Sequence, residues 1–209
     1  MLHLRLILII LFFFSSTSCQ KNPATGLDEF SLISPSEEDS IGKNEHKKII
    51  NQYGIYKDKS LQSYVNSLGN FLVSTSELSN KVFAFTILDT PIVNAFALPG
   101  GYIYLTRGLL ALCNNEAQLA GVIAHEIGHI TTRHGARRYT KTVSTNLILN
   151  VLGSMTRNRL AQNLLSQSSG LYLLSYSRSQ EYEADSLAIR YMKRAGFDTI
   201  QMASFLQSM

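Results

Sequence analysis

Leu119-Ala120-Gly121-Val122-Ile123-Ala124-His125-Glu126-Ile127-Gly128-His129-Ile130 is the stretch around which the rest of the chain is organised. Leu119, Val122, Ile123, Ile127 and Ile130 form an apolar stripe at helical spacing, so the segment reads as a buried helix. Asn115 or Asn114 supplies its N-cap, with Gln118 placed as a capping-box partner. Positions four apart share a helix face, so His125 and His129 can both aim a ring nitrogen at one cation. Glu126 lies about 100° further round the helix. Its carboxylate therefore stands beside the cation, where it can take a proton from a water held there. Two histidines and a glutamate on a buried helix need partners, because unpaired buried polar groups are costly, and a metal supplies one.

The third ligand does not follow the H-E-x-x-H-x-x-G-x-x-H pattern, since position 132 is Thr and position 135 is Gly. His134 is close by but out of register and is expected to face away from the metal, as a supporting or surface group. The better candidate lies in Ser177-Arg178-Ser179-Gln180-Glu181-Tyr182-Glu183-Ala184-Asp185-Ser186-Leu187-Ala188, a helix capped by Ser179 or Ser177. Glu181 and Asp185 share a face of it. Glu181 can bind the metal while Asp185 accepts a hydrogen bond from the far nitrogen of a ligand histidine, which fixes the tautomer and raises ligand basicity. Ala184 and Ala188 are small enough to let this helix pack closely on the metal helix. Glu183, about 200° from Glu181, is expected to face solvent. Three protein ligands without a fourth leave an open coordination position, the mark of a catalytic zinc as opposed to a structural one.

Upstream, Ser34-Pro35-Ser36-Glu37 is a helix start with Pro at the first helical position and Glu at the capping-box position. This helix is expected to run to about Tyr53 and to end at Gly54. A second follows from about Asp58 to Ser74, with Leu61, Tyr64, Val65, Leu68, Phe71 and Leu72 at helical spacing. His46 reads as a solvated surface residue. From Lys81 to Thr106 the pattern changes to strands: Val82–Leu88, broken by Asp89-Thr90-Pro91; Asn94–Leu98; the turn Pro99-Gly100-Gly101; and Tyr102–Thr106 as a hairpin partner. A sheet beside the metal helix offers an edge along which an extended peptide can pair, with Asn94, Ala95 and Phe96 as the substrate-binding candidates. A plain core hairpin fits the same pattern. The fold class is α+β, mainly helical with a small sheet beside the H-E-x-x-H helix.

The chain has 209 residues, 45% hydrophobic and 16% charged, with a net charge of +4, as in an ordinary globular domain carrying an apolar segment. No basic stripe with interleaved aromatics is present, which argues against nucleic acid as a partner. Residues 1–18 read as an export signal: Arg5, an apolar run from Leu6 to Phe14, then Ser15-Ser16-Thr17-Ser18. The run is shorter than the roughly 20 residues a membrane span needs. Cys19 follows directly, and the segment resembles a bacterial lipoprotein signal, with Ser16 where such signals usually carry leucine. Gln20 at the next position favours an outer-membrane anchor. The alternative is a plain cleaved signal with Cys19 a bystander. If Cys19 is acylated, no disulfide is possible within the chain, and Cys113 is then a buried, reduced thiol. Residues 19–33 read as a polar linker, and 34–209 as the catalytic domain.

Three motifs together, N-A-F-A-L-P-G-G from Asn94, L-A-G-V-I-A-H-E-I-G-H from Leu119 and S-R-S-Q-E-Y-E-A-D from Ser177, resemble the zinc metallopeptidase family of HtpX, BepA and the CAAX prenyl protease. The closest likeness is to its periplasmic, lipoprotein-like BepA and LoiP branch. The resemblance runs from about Gly26 to the C-terminus and implies a zincin-like fold of the gluzincin type. It implies one zinc per chain on His125, His129 and Glu181, with Glu126 as catalytic acid and base and Asp185 supporting a ligand histidine. Arg178 occupies the family's S-R position as a further supporting residue.

Residues 137–174 read as two helices with a link around 154–158, a lid or wall over the cleft, and contain no run long enough to span a membrane. The chain stops at Met209, whereas many relatives continue with further helices, so a segment that shapes the site is expected to be missing if this is the full product. The reading is of an exported metalloendopeptidase acting on misfolded or unassembled envelope proteins. The alternative is a periplasmic chaperone or assembly factor with a structural or latent zinc site. A mitochondrial-type relative is a weaker rival, because the Arg-poor N-terminus is unlike an organellar transit peptide.

Overall fold

The computed structural model describes residues 19–144 and 176–208. The export signal at 1–18 and most of the two helices expected within 137–174, with their link at 154–158, lie outside the described residues.

The described chain begins with a short hairpin. β1 (Cys19–Lys21) pairs antiparallel with β2 (Asp28–Phe30). Asn22 builds the turn between them, its Oδ1 accepting from the Ala24 and Thr25 amides at 2.9 and 3.3 Å. Residues 19–33, expected as a linker, are thus folded onto the domain. Asn22, Ser31 and Ile33 are buried, and the Leu32 amide donates to Thr140 Oγ1 at 3.1 Å.

Local signals set the next two helices. α1 (Pro35–Tyr53) starts at Ser34, whose Oγ accepts from the Glu37 amide at 3.3 Å while Glu37 Oε2 accepts from the Ser34 amide at 2.7 Å. It ends at Gly54, which takes a φ of 70°. α2 (Lys59–Ser74) is capped by Asp58 and buries Val65, Leu68, Leu72 and Val73.

The sheet comprises β3 (Ala84–Leu88), β4 (Ala95–Leu98) and β5 (Tyr102–Thr106) in the order β3-β5-β4. β4 and β5 form the expected hairpin, with Ala95 opposite Leu105 and Leu98 opposite Tyr102. The turn needs its glycines, because Gly100 and Gly101 have φ of 86° and 99°. β3 runs parallel to β5, with Ala84 opposite Tyr102. β4 therefore lies at an edge, paired with β5 alone among the described strands.

The two faces of the sheet feed two cores. Phe85, Ile87, Ala97, Ile103 and Leu105 meet α2 and the metal helix in the larger one. Leu88, Leu98 and Tyr104 meet Ile49 of α1 in the smaller one. His46 belongs to this second face, not to solvent. Its Nδ1 is 2.7 Å from the Tyr104 hydroxyl and its ring stacks on Tyr102 at 4.9 Å. Two aromatic side chains of β5 reach α1 there, which a reading of α1 alone cannot foresee.

α3 (Arg107–Leu110) leads from the sheet to α4 (Glu116–Thr131), which carries H-E-x-x-H. After a turn in which Arg133 takes a φ of 54°, residues 134–144 are helical and form α5. α6 (Arg178–Ala195) and α7 (Ile200–Ser208) complete the described domain. α6 packs along α4, and Met202 of α7 sits over Gly121 of α4. Among the described residues no helix is long and apolar enough to cross a membrane.

Candidate metal centre

Two well-capped helices deliver the site. Asn115 Oδ1 accepts from the Gln118 amide at 3.0 Å, and the Gln118 side chain returns the bond to Asn114, one residue earlier than a capping box would have it. α6 starts at Ser177, in a capping box with Gln180, which fixes Glu181 in its first turn. The crossing of α4 and α6 brings the donors together. His125 Nε2 and His129 Nε2 are 3.0 Å apart, and Glu181 Oε2 lies 3.3 Å from the first and 3.9 Å from the second.

This spacing fits zinc. Donors held about 2.0–2.1 Å from a tetrahedral zinc stand about 3.3 Å from one another. Two imidazoles and one carboxylate are the ligand set of a catalytic zinc site, with one position left open. Among the described residues these three form the one cluster of metal-ligating side chains.

The groups behind the donors favour positive charge at one ring. Asp185 Oδ1 is 2.9 Å from His125 Nδ1. Burial works against a charge on His125, but the bonds to Asp185 and Glu181, with the nearby Glu126, hold its pKa up at about 10. Burial and the charge on His125 then push His129 down to about 2. Glu126 is 6% exposed, and its burial, reinforced by Glu181 and opposed by His125, raises its carboxyl to about 7. A carboxyl that gains and loses a proton near neutrality suits general acid–base work.

A cavity of about 310 Å³ opens onto these groups, lined by Asn94, Ala95, Val122, His125, Glu126 and Glu181 among others. Asn94 and Ala95, at the N-terminal end of the β4 edge, thus share this cavity with the candidate metal donors. Phe96 differs. Its side chain stacks on Tyr104 at 4.8 Å, on the sheet face away from the cavity, because successive strand residues alternate. Only its backbone can serve a peptide at this edge. A larger cavity of about 400 Å³ lies beside Tyr64, Arg107 and Cys113 and contains none of the donors. Cys113 there is a free, half-buried thiol raised to about 11 by burial.

Two further expectations meet a different structure. Arg178 is exposed at the first turn of α6, just past its cap, and among the described residues it makes no bond to the donors. Glu183 is half-buried and paired, not a free solvent-facing group. α5 packs over that side of α6, and Glu183 Oε2 accepts from Arg137 at 2.8 Å and lies 3.0 Å from His134 Nε2. His134 is fully buried, with Nδ1 2.7 Å from His129 Nδ1, and so supports a donor. Tyr176 was not foreseen. Its ring stacks on His129 at 3.9 Å, with the Arg138 guanidinium 3.6 Å from its centroid. An aromatic one residue before the cap of α6 carries no sequence signal for that contact.

The model of Peptidase family M48 matches residues 59–209. The chain belongs to that family. The M48 chain is 31% identical over 196 residues to the beta-barrel assembly-enhancing protease of Escherichia coli K12. It is 31% identical over 184 residues to the mitochondrial metalloendopeptidase OMA1 of Schizosaccharomyces pombe. These matches take in 90% and 84% of this chain but 40% and 53% of those proteins. The M48 chain thus spans about half the length, or less, of the curated relatives it matches. Membership accounts for the α+β, zincin-like metallopeptidase fold and agrees with the resemblance carried by the three motifs.

Proposed function

We propose that this M48 chain is a zinc-dependent metalloendopeptidase of the cell envelope that cleaves misfolded or unassembled proteins, with one zinc held by His125, His129 and Glu181. The observation that carries the reading is the convergence of those three donors within 4.8 Å of one another, beside a buried Glu126 and a cavity open to the β4 edge. A zinc ion bound there supplies a Lewis acid for the scissile carbonyl and a water acidified to a pKa of about 7. An extended polypeptide pairs its backbone with β4 at Asn94, Ala95 and Phe96, which lays it across the cavity. Glu126 takes the proton of the attacking water and passes it to the leaving amine. Asp185 keeps Nδ1 of His125 protonated, so that Nε2 remains a ligand. Arg178 is given no role in these steps.

The cellular setting is part of the proposal. The apolar run from Leu6 to Phe14, followed by four small residues and then Cys19, supports export and a lipid anchor at that cysteine, which would hold the domain at the outer membrane. The relatives named as beta-barrel assembly-enhancing proteases support envelope proteins as substrates. The chaperone reading with a structural zinc is the weaker one, because a closed site needs a fourth protein donor, and three are present among the described residues.

The test compares the chain from Gln20 with its Glu126→Gln variant for zinc content and for cleavage of unfolded casein. One zinc per chain in both and cleavage in the unsubstituted protein alone is the expected result. A Glu126→Gln variant that cleaves at the unsubstituted rate would sink the assignment. Zinc in both without cleavage in either would favour the chaperone reading.

A further inference from the structure

We propose that His134 and Glu183 are positioning residues for His129, forming with Arg137 and Glu29 a chain of hydrogen bonds and ion pairs that selects the tautomer in which His129 offers Nε2 to a metal. The inference rests on the metal-centre reading and adds to it a second line of support, distinct from Asp185.

With both rings neutral, the proton count along the chain has one consistent solution. A neutral His129 that keeps a lone pair on Nε2 carries its proton on Nδ1. That nitrogen is 2.7 Å from His134 Nδ1, which must then accept. His134 in turn carries its proton on Nε2, 3.0 Å from Glu183 Oε2, which accepts it. Glu183 is held ionised by Arg137 Nη2 at 2.8 Å. The opposite arrangement, with His129 protonated on Nε2, needs His134 to donate from Nδ1. It would set a bare His134 Nε2 against a carboxylate oxygen at 3.0 Å, two acceptors face to face. Water cannot relieve that clash, because His134 is fully buried and His129 is 3% exposed. The two donors are therefore backed unequally. His125 meets its carboxylate directly through Asp185, and His129 meets Glu183 through an intervening ring.

The far end of the chain is the N-terminal hairpin. Arg137 Nη1 lies 3.3 Å from Glu29 Oε1 in β2, and the Asn22 side-chain amide donates to the same oxygen at 2.8 Å. The segment that precedes α1 thereby closes the polar network that starts at the metal donors.

The experiment measures zinc affinity by chelator competition for the unsubstituted chain, His134→Leu and His134→Asn, with ¹⁵N NMR of the histidine rings in the zinc-loaded protein. The expected tautomers are Nδ1–H for His129 and Nε2–H for His134. His134→Leu is expected to lose about 10- to 100-fold in affinity, as for other residues that orient a ligand histidine. His134→Asn keeps most of it, since Asn Oδ1 can accept from His129 Nδ1. A folded Leu variant of unchanged affinity overturns the proposal. So does an Nδ1–H tautomer at His134, or an Asn variant as weak as the Leu variant. Should the Leu variant not fold, the Asn variant and the tautomers decide. An unsubstituted chain that takes up no zinc overturns the metal assignment itself, and the relay with it.

Discussion

Gly128 of α4 lies directly against the backbone of Ala184 in α6. A Cβ at position 128 would stand 3.0 Å from the Ala184 carbonyl oxygen and 3.2 Å from its Cα. Gly128 sits between the two histidines in sequence and Ala184 between Glu181 and Asp185, so the helices approach closely where they carry the donors. Gly128→Val should push α6 away, with an overpacking cost of about 1–3 kcal/mol. Glu181 moves with the helix, and zinc affinity should fall together with the unfolding temperature. Gly128→Ala should be milder, because a gain in helix propensity of about 1 kcal/mol opposes the contact. Thermal unfolding and zinc titration check this, and a Gly128→Val protein with unaltered zinc affinity would contradict it.

Asp185 supports His125 from a half-exposed position, its side chain 34% accessible and its Oδ1 2.9 Å from Nδ1. Removing it should act on the metal far more than on the fold. Asp185→Ala is expected to weaken zinc binding about 10- to 100-fold while leaving the unfolding temperature of the metal-free protein nearly unchanged. Asp185→Asn should lose less, since its Oδ1 still accepts from His125 while the charge is gone. Chelator competition and calorimetry of the metal-free variants separate the two effects.

The parts of the fold read correctly from the chain are those with local causes. Ser34, Pro35 and Glu37 stand within one turn of each other, and Ser177 and Gln180 likewise, so each helix start is written in its own few residues. The donors are legible for a similar reason, since His125 with His129 and Glu181 with Asp185 are pairs on one face of one helix. What the chain hides is which face meets which neighbour. β3 pairs parallel with β5 although β4 follows it in sequence, and nothing in Ala84–Leu88 specifies that partner. Glu183 looks solvent-facing on α6 alone and becomes a partner of His134 and Arg137 once α5 covers it. Phe96 looks like part of a binding edge, but strand alternation turns its ring to Tyr104.

Glu77 clamps α6 to the end of α2 and gives the protein an acid-sensitive joint. Its carboxylate lies 3.1 Å from Arg190 Nη1 and 3.3 Å from Arg194 Nη1 and accepts from the Tyr191 hydroxyl at 2.5 Å. Burial opposes its ionisation, but the Tyr191 bond and the arginine outweigh it and hold the pKa below the ordinary value of 4.5. A depressed folded pKa means the stabilisation is complete above the unfolded value and is lost as pH falls through the folded one. Unfolding temperatures measured from pH 6 down to about 3 should therefore drop less steeply for Glu77→Gln, which starts lower, than for the unsubstituted chain. Parallel curves would exclude Glu77 as a source of acid sensitivity.

Arg133 ties the end of the metal helix to α1 through a buried ion pair. Its Nε donates to Glu38 Oε1 at 2.8 Å and its Nη2 to the Ile33 carbonyl at 3.3 Å, with the two side chains 8% and 12% exposed. Burial keeps the Glu38 carboxyl above its ordinary pKa even with Arg133 beside it. Arg133→Ala leaves that carboxylate buried and unpaired, at a cost of about 3–5 kcal/mol. The raised pKa sets the pH dependence: the folded state then binds the proton more tightly than the unfolded state, so stability falls as pH rises. Without the guanidinium that effect grows. The gap in unfolding temperature between Arg133→Ala and the unsubstituted chain should narrow as pH is lowered from about 7 toward 5. Adding Glu38→Gln should restore part of the loss at neutral pH, because the double variant buries no lone charge. A double-mutant cycle in denaturant measures this, and additive losses would show that the two side chains act independently.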